Sequence, residues 1–202
     1  MNKVLKNSFR IILLSLVLFL IAGCNGKQAN VKAAGQTKNQ LSAWTVYWDA
    51  EEGSKEFRRL EKRLDEVCLF GAYFEEDGKL LLPEELTFDK RVAKKKKQLA
   101  EYLTIVNDRV LSDGGKEYKK TEFLQELLND QERRKEHIDE IIALAKAERF
   151  DGVEIDYERI WKDCETKDSF LPFVKELYAA TTANDLKLRV VLEPGTPFND
   201  IE

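Results

Sequence analysis

Three acidic residues spaced two apart, Glu154, Asp156 and Glu158, stand in the segment FDGVEIDYE at 150–158, with Asp151 just ahead of them. Side chains alternate across a strand, so these three share one face while Val153, Ile155 and Tyr157 take the other. Successive positions on such a face lie about 6.6 Å apart. Carboxyls that close and partly desolvated cannot all ionise freely, so at least one pKa rises. A carboxyl raised in this way is a usable general acid near neutral pH. The same alternation also suits a solvated strand edge, where it would carry no chemistry. The Asp151-Gly152 start, the Ile- and Ala-rich helix pattern before it and the strand-then-helix context favour a site.

The elements that must position these acids read as an alternation. AWTVYW (43–48), EVCLFGAYF (66–74), YLTIVN (102–107), GVEIDYE (152–158) and LKLRVVLE (186–193) are predicted strands. Between them, helical spacing of apolar residues predicts helices over 54–66, 84–101, 117–148 and 167–182, with a break at Asn129-Asp130. Asp77-Gly78 predicts a turn before KLLL. Strands alternating with helices this long imply a parallel sheet with right-handed crossovers. An open, doubly wound nucleotide binder should show a Gly-rich turn after its first strand. Here DAEEGSKE follows Trp48, a single glycine among acids that would repel phosphate. The expected fold is therefore α/β, a (β/α)8 TIM-barrel type, incomplete, with about five of the strands present.

Composition narrows the chemistry further. The 202 residues include 35% charged and 43% hydrophobic ones, with 10 Gly and 4 Pro, which excludes collagen-like and Pro/Gly-rich disordered chains. Three cysteines make no disulfide scaffold and no paired zinc spacing. The single histidine, His137, excludes a His-clustered metal site, and it reads as a helix-surface residue amid QERRKEHIDE. Neither a metal nor another cofactor is expected. The net charge of −4 argues against a nucleic-acid partner, and KKKK at 94–97 reads as a solvated face. Cys68 and Cys164 read as buried small hydrophobes or loop thiols. Trp44, Tyr47 and Trp48, at the end of the first strand, suit either a sugar-stacking platform or core packing. Asn107 and Glu193 end the third and fifth strands, on the face where barrel active sites lie, and are weaker candidates for substrate contact, as is Tyr157.

DGVEIDYE resembles the D-G-x-D-x-D-x-E signature on the fourth strand of glycoside hydrolase family 18, the family of chitinases and related N-acetylglucosaminidases. CLFGAYFEEDGKL is similar to the second strand and following hairpin of the spore-cortex and cell-wall hydrolase subgroup, and YLTIVN to its third strand. The resemblance covers residues 44–197. It implies a retaining, substrate-assisted hydrolysis of N-acetylglucosamine-containing polysaccharide or glycan (chitin, peptidoglycan or N-glycan type), an exception to the two-carboxylate scheme. By matching position, Glu158 is the acid/base and Asp156 orients the substrate's N-acetyl group, with Asp151 supporting from below. Glu154 stands where the family usually has Asp, and its extra methylene either pushes its carboxylate into Asp156 or turns it aside. The family's sixth-strand tyrosine and late tryptophan have no counterpart here. A full barrel takes about 250 residues, so a fragment, a truncated gene or a barrel completed by a partner chain is expected, and the short chain alone is expected to hydrolyse little. A non-catalytic, lectin-like barrel is the alternative function, although such members tend to lack the terminal glutamate.

Residues 1–10 carry Lys3, Lys6 and Arg10 and no acid, and a nearly all-apolar, charge-free run follows from Ile11 to Ala22. A bilayer span needs about 20 apolar residues, so this layout reads as a secretory signal. Its end, Ile21-Ala22-Gly23-Cys24, resembles the lipobox of bacterial lipoproteins, which implies cleavage before Cys24 and lipidation of that residue. Residues 1–23 are then the signal, 24–42 the lipidated cysteine and a flexible polar tether, and 43–202 the folded module. The expected location is exported and membrane-anchored, facing the periplasm or the cell surface. A plain signal peptide with a coincidental cysteine is the competing reading. On fractionation, Cys24→Ala should move the protein from the membrane to the soluble fraction; unchanged partitioning would refute lipidation.

Overall fold

β-Branched and aromatic runs at five places in the chain pair side by side in chain order. In a computed structural model, which describes residues 40–60, 62–84, 86, 99–162 and 164–193, these are β1 (Ser42–Val46), β2 (Glu66–Glu75), β4 (Ala100–Val110), β6 (Gly152–Asp156) and β7 (Lys187–Val190). They form one sheet in the order β1-β2-β4-β6-β7, every neighbouring pair parallel. Two short strands, β3 (Leu80–Leu81) and β5 (Lys116–Glu117), fold back antiparallel on the ends of β2 and β4. Helices α1 (Ala50–Leu60), α2 (Glu122–Asn129), α3 (Gln131–Ala147) and α4 (Cys164–Ala183) supply the crossovers seen among the described residues. The fold is an α/β half-barrel, five strands of a (β/α)8 TIM-barrel type.

One face of the sheet is apolar and meets the helices. Val67, Leu69, Leu103, Ile105, Val153 and Ile155 belong to the core cluster with Phe123, Leu124, Leu128, Ile141, Phe173 and Leu177 of the helices. Burial on both faces is what parallel strands require. The opposite face is polar and curls inward, so that Arg189 Nη1 of β7 lies 3.3 Å from Ser42 Oγ of β1. At the break between α2 and α3, Asp130 caps α3, its carboxylate accepting from the backbone N–H of Glu132 at 2.9 Å and of Arg133 at 3.0 Å.

Several boundaries differ from those expected. The first helix runs over Ala50–Leu60 rather than 54–66, because Leu64 belongs to the turn leading into β2. Residues 100–101, expected at the end of a helix, open β4, and the start of the 117–148 segment is the β5 hairpin and a loop instead of helix. Tyr157 and Glu158 lie just past the end of β6, and β7 stops at Val190. His137 is not a surface residue: it is buried, stacked on Phe173 with ring centroids 5.6 Å apart, and its Nε2 lies 2.8 Å from the Tyr157 hydroxyl. It shares a helical stripe with Ile141 and Ala145, four residues apart, which the flanking charges conceal. The signal, Cys24, most of the tether, most of the predicted 84–101 helix including KKKK, and residues 194–202 lie outside the described residues.

Gly152 opens β6 under a tight steric limit. A Cβ there would lie 2.6 Å from the Lys187 carbonyl oxygen and 2.7 Å from Tyr102 Cε1. Gly152→Ala should therefore cost about 1–3 kcal/mol through overpacking, and Asp130→Ala about 1 kcal/mol through the lost cap. Urea unfolding of the two variants measures both; an unchanged midpoint for Gly152→Ala would mean that the strands part freely.

Candidate active site

β6 lies between β4 and β7, and its register places Glu154 opposite Thr104 on one side and Arg189 on the other. Glu154 is fully buried. Its Oε1 accepts from Trp44 Nε1 at 2.7 Å and Thr104 Oγ1 at 2.8 Å, while Arg189 Nε lies 3.1 Å from its Oε2. Its longer side chain is thus turned aside, into the sheet's interior. Cys68, also buried, donates its thiol to Glu154 Oε2 at 3.4 Å; burial, with the Glu154 charge second, pushes that thiol up to about 12.

Two residues on, the Asp156 carboxyl is half-buried at the strand's end. Burial first, then the Glu158 and Glu154 charges, raise it to about 6, with the Lys119 ammonium opposing. Glu158 is past the strand, and its backbone is bracketed by one side chain. Its N–H donates to Asn107 Oδ1 at 2.9 Å, and Asn107 Nδ2 donates to its carbonyl at 3.0 Å. Its carboxylate accepts from Lys119 Nζ. Asp108, next to Asn107, accepts the Lys119 backbone N–H at 3.1 Å, and burial raises its carboxyl, with the Glu158 charge adding and Lys119 opposing.

The other candidates separate. Asn107 is 1% exposed with its amide committed to Glu158 and to the Lys120 carbonyl, so it supports the site and is not free for a substrate. Tyr157, a candidate for substrate contact, turns to the helix side, where Phe74, His137 and Phe173 surround it. Asp151 lies on the exposed side below the strand, its carboxylate accepting the Glu101 N–H at 2.9 Å. Glu193 accepts the Arg159 N–H at 2.8 Å. Trp44 and Trp48 are 53% and 63% exposed, Trp48 packing edge-on against Tyr47 and Phe70, and Tyr47 leans on the core. Pockets of about 330 and 380 Å³ flank the β2–β3 turn, one reaching His137 and Glu140, and neither is lined by Glu154, Asp156 or Glu158. Among the described residues no group of His, Cys, Asp or Glu is arranged to hold a metal ion.

Lys119, Asp108 and Arg189 escape the sequence reading. Lys119 falls in a stretch read as helix. Arg189 carries the better signal, a charge at an inward position of a strand that should be buried on both faces.

Parallel strands in chain order, with carboxylates gathered at the C-terminal end of the interior strand β6, define a half-barrel with its acids on the face where barrel active sites lie. The profile of glycosyl hydrolases family 18 matches residues 43–202, and the chain belongs to that family. Among solved structures, a class V chitinase from Pseudomonas fluorescens Pf-5 is similar at TM-score 0.64 and 24% identity, over 78% of this chain and 45% of that one. The spore cortex-lytic enzyme SleL of Bacillus cereus is similar at 0.60 and 17%, over 76% and 35%. A mutant class V chitinase from Nicotiana tobaccum in complex with NAG4 gives 0.62 and 15%, over 77% and 44%. The chain spans less than half the length of each of these three structures. A comparison with curated proteins gives no match.

Asp156 carries a pH signature. A carboxyl that holds its proton more tightly when folded costs stability as pH rises from 3.8 through about 6. Asp156→Asn removes that cost, so above pH 6 it should unfold later than the parent by roughly 1–2 kcal/mol, with the gain gone below about pH 4. Denaturant midpoints across pH test this; a gain that is constant with pH would refute it.

Proposed function

We propose that this chain supplies the catalytic carboxylates of a glycoside hydrolase acting on N-acetylglucosamine-containing polysaccharide or glycan, by substrate-assisted, retaining hydrolysis. The carrying observation is Asp156, raised to about 6 beside Glu158 at the C-terminal end of β6. In this reading Glu158 delivers a proton to the glycosidic oxygen as the substrate's own acetamido oxygen attacks the anomeric carbon. Asp156 holds the acetamido N–H so that the oxygen faces that carbon. Water then attacks from the leaving-group side, and Glu158 takes its proton back. A general acid must carry its proton when the sugar is bound, so Lys119 has to leave the Glu158 carboxylate as the leaving-group sugar enters. Trp44 and Trp48 offer exposed aromatic faces for stacking. Export and lipid anchoring at Cys24 would place the site against an extracytoplasmic polymer, and a second chain could supply the further strands of the barrel.

The Lys119–Glu158 ion pair favours a second reading, a barrel that binds the sugar without turning it over. Turnover of an aryl glycoside of N-acetylglucosamine oligomers separates the two, measured with the chain alone and with a polypeptide carrying the remaining β/α units. General acid–base catalysis contributes about 10²–10⁴-fold. Glu158→Gln should lose at least about 100-fold in turnover and keep sugar binding, and Asp156→Asn should harm substrates with an N-acetyl group most. Near-parental turnover in Glu158→Gln would refute the assignment; binding without hydrolysis in every combination would establish the second reading.

A further inference from the structure

We propose that Arg189 is a positioning residue of this site: as the shared counter-ion of Glu154 and Glu66, it keeps Glu154 charged and turned down into the sheet's interior, away from Asp156. The proposal deepens the hydrolase reading and rests on it for the role of Asp156, while the charge compensation stands on geometry alone.

Arg189 sits on β7, directly opposite Glu154 in the register. Its Nε lies 3.1 Å from Glu154 Oε2, and its Nη1 lies 3.0 Å from Glu66 Oε2 on β2. The same Nη1 is 3.3 Å from both Ser42 Oγ and Cys68 Sγ. The guanidinium also lies over Tyr102, 5.2 Å from the ring centroid. One planar fork therefore serves two carboxylates on different strands, a geometry that a lysine ammonium does not reproduce. Glu154 has no exposure to water, and a carboxylate so placed without a cation takes up a proton rather than stay charged. Glu154 has both oxygens engaged from the other four strands, by Trp44 of β1, Cys68 of β2, Thr104 of β4 and Arg189 of β7.

The groups facing Arg189 are Glu66 and Cys68 on β2, Tyr102 on β4 and Glu154 on β6, with Asp156 one pleat above. Cys68 and Tyr102 are both pushed up to about 12, chiefly by burial, and stay neutral through the range of interest. Of the acids Glu66, Glu154 and Asp156, only the first two touch Arg189.

The test is the pH dependence of unfolding for the full chain, Arg189→Met, Arg189→Lys, and Arg189→Met combined with Glu154→Gln. Without its cation, Glu154 folds only with a proton, so Arg189→Met should be much weaker at about pH 7.5 than at about pH 5, binding close to one extra proton on folding. Adding Glu154→Gln should return the slope to the parental one and restore stability at the higher pH. Arg189→Lys should keep the parental slope while losing stability at every pH. A parental slope in Arg189→Met, a slope that survives in the double variant, or a steep slope in Arg189→Lys would each overturn the proposal. Should Arg189→Met fail to fold at any pH, the double variant decides: recovered folding supports charge compensation and continued failure overturns it. No arm measures hydrolysis, so a failure here is distinct from a failure of the hydrolase reading.

Discussion

Four strand spacings separate β7 from β1, about 19 Å on a flat sheet, further than an arginine and a serine side chain can bridge. Arg189 nevertheless meets Ser42, and Glu66 beside it, through hydrogen bonds of 3.3 and 3.0 Å. The contact is possible only because the five strands curl, and the curl is what turns a polar sheet face into the interior of a half-barrel. Everything about the site follows from this closure. It removes Glu154 from water, carries Trp44 across to it from the first strand, and leaves the end of β6 standing at the rim.

Position at the rim is a second constraint, met by different means. Glu158 is no longer held by the strand ladder, so its backbone would be free to drift were it not for Asn107. That side chain behaves as a piece of strand, accepting one backbone N–H and donating to one carbonyl of the same residue. A buried amide with its polar atoms satisfied is rigid, because any movement leaves one of them unpaired at a cost of about 1–3 kcal/mol. β4 thus extends its influence past its partner strand, and the loop bearing Lys119 is tied to the same point through Asp108 and the Lys120 carbonyl.

The strand order and the carboxylate face were legible because parallel strands buried on both sides announce themselves as apolar runs, and GVEIDYE breaks that rule on one side only. The α2–α3 break was legible because Asp130 is a capping residue between two apolar stripes. The β5 hairpin was not: Lys116 and Glu117 have no strand character of their own and pair only because β4 runs on to Val110. His137 was hidden by its neighbours' charges, since one buried position per turn among acids and bases resembles a solvated face. Lys119 and Arg189 act through pairings distant in sequence, with Glu158 39 residues from Lys119 and Glu66 123 residues from Arg189, and no local pattern reports those.

The two cations explain why Asp156 stands apart from the acids directly above and below it. Below, Arg189 compensates Glu154 and Glu66; above, Lys119 engages the Glu158 carboxylate and, through its backbone, Asp108. Asp156 lies between these two layers and is paired with neither cation. Its burial comes first and the Glu158 and Glu154 charges add to it, with the Lys119 ammonium opposing but not paired to it, which is why it rises to about 6. A carboxyl in that condition is a hydrogen-bond donor or acceptor according to small changes in its surroundings. The Glu158 charge is the second-largest influence on the Asp156 proton, so whatever changes the charge around Glu158 is felt at Asp156 below it. In the proposed hydrolase reading, a ligand that drew Lys119 away from Glu158 would therefore act on the Asp156 proton through Coulomb forces.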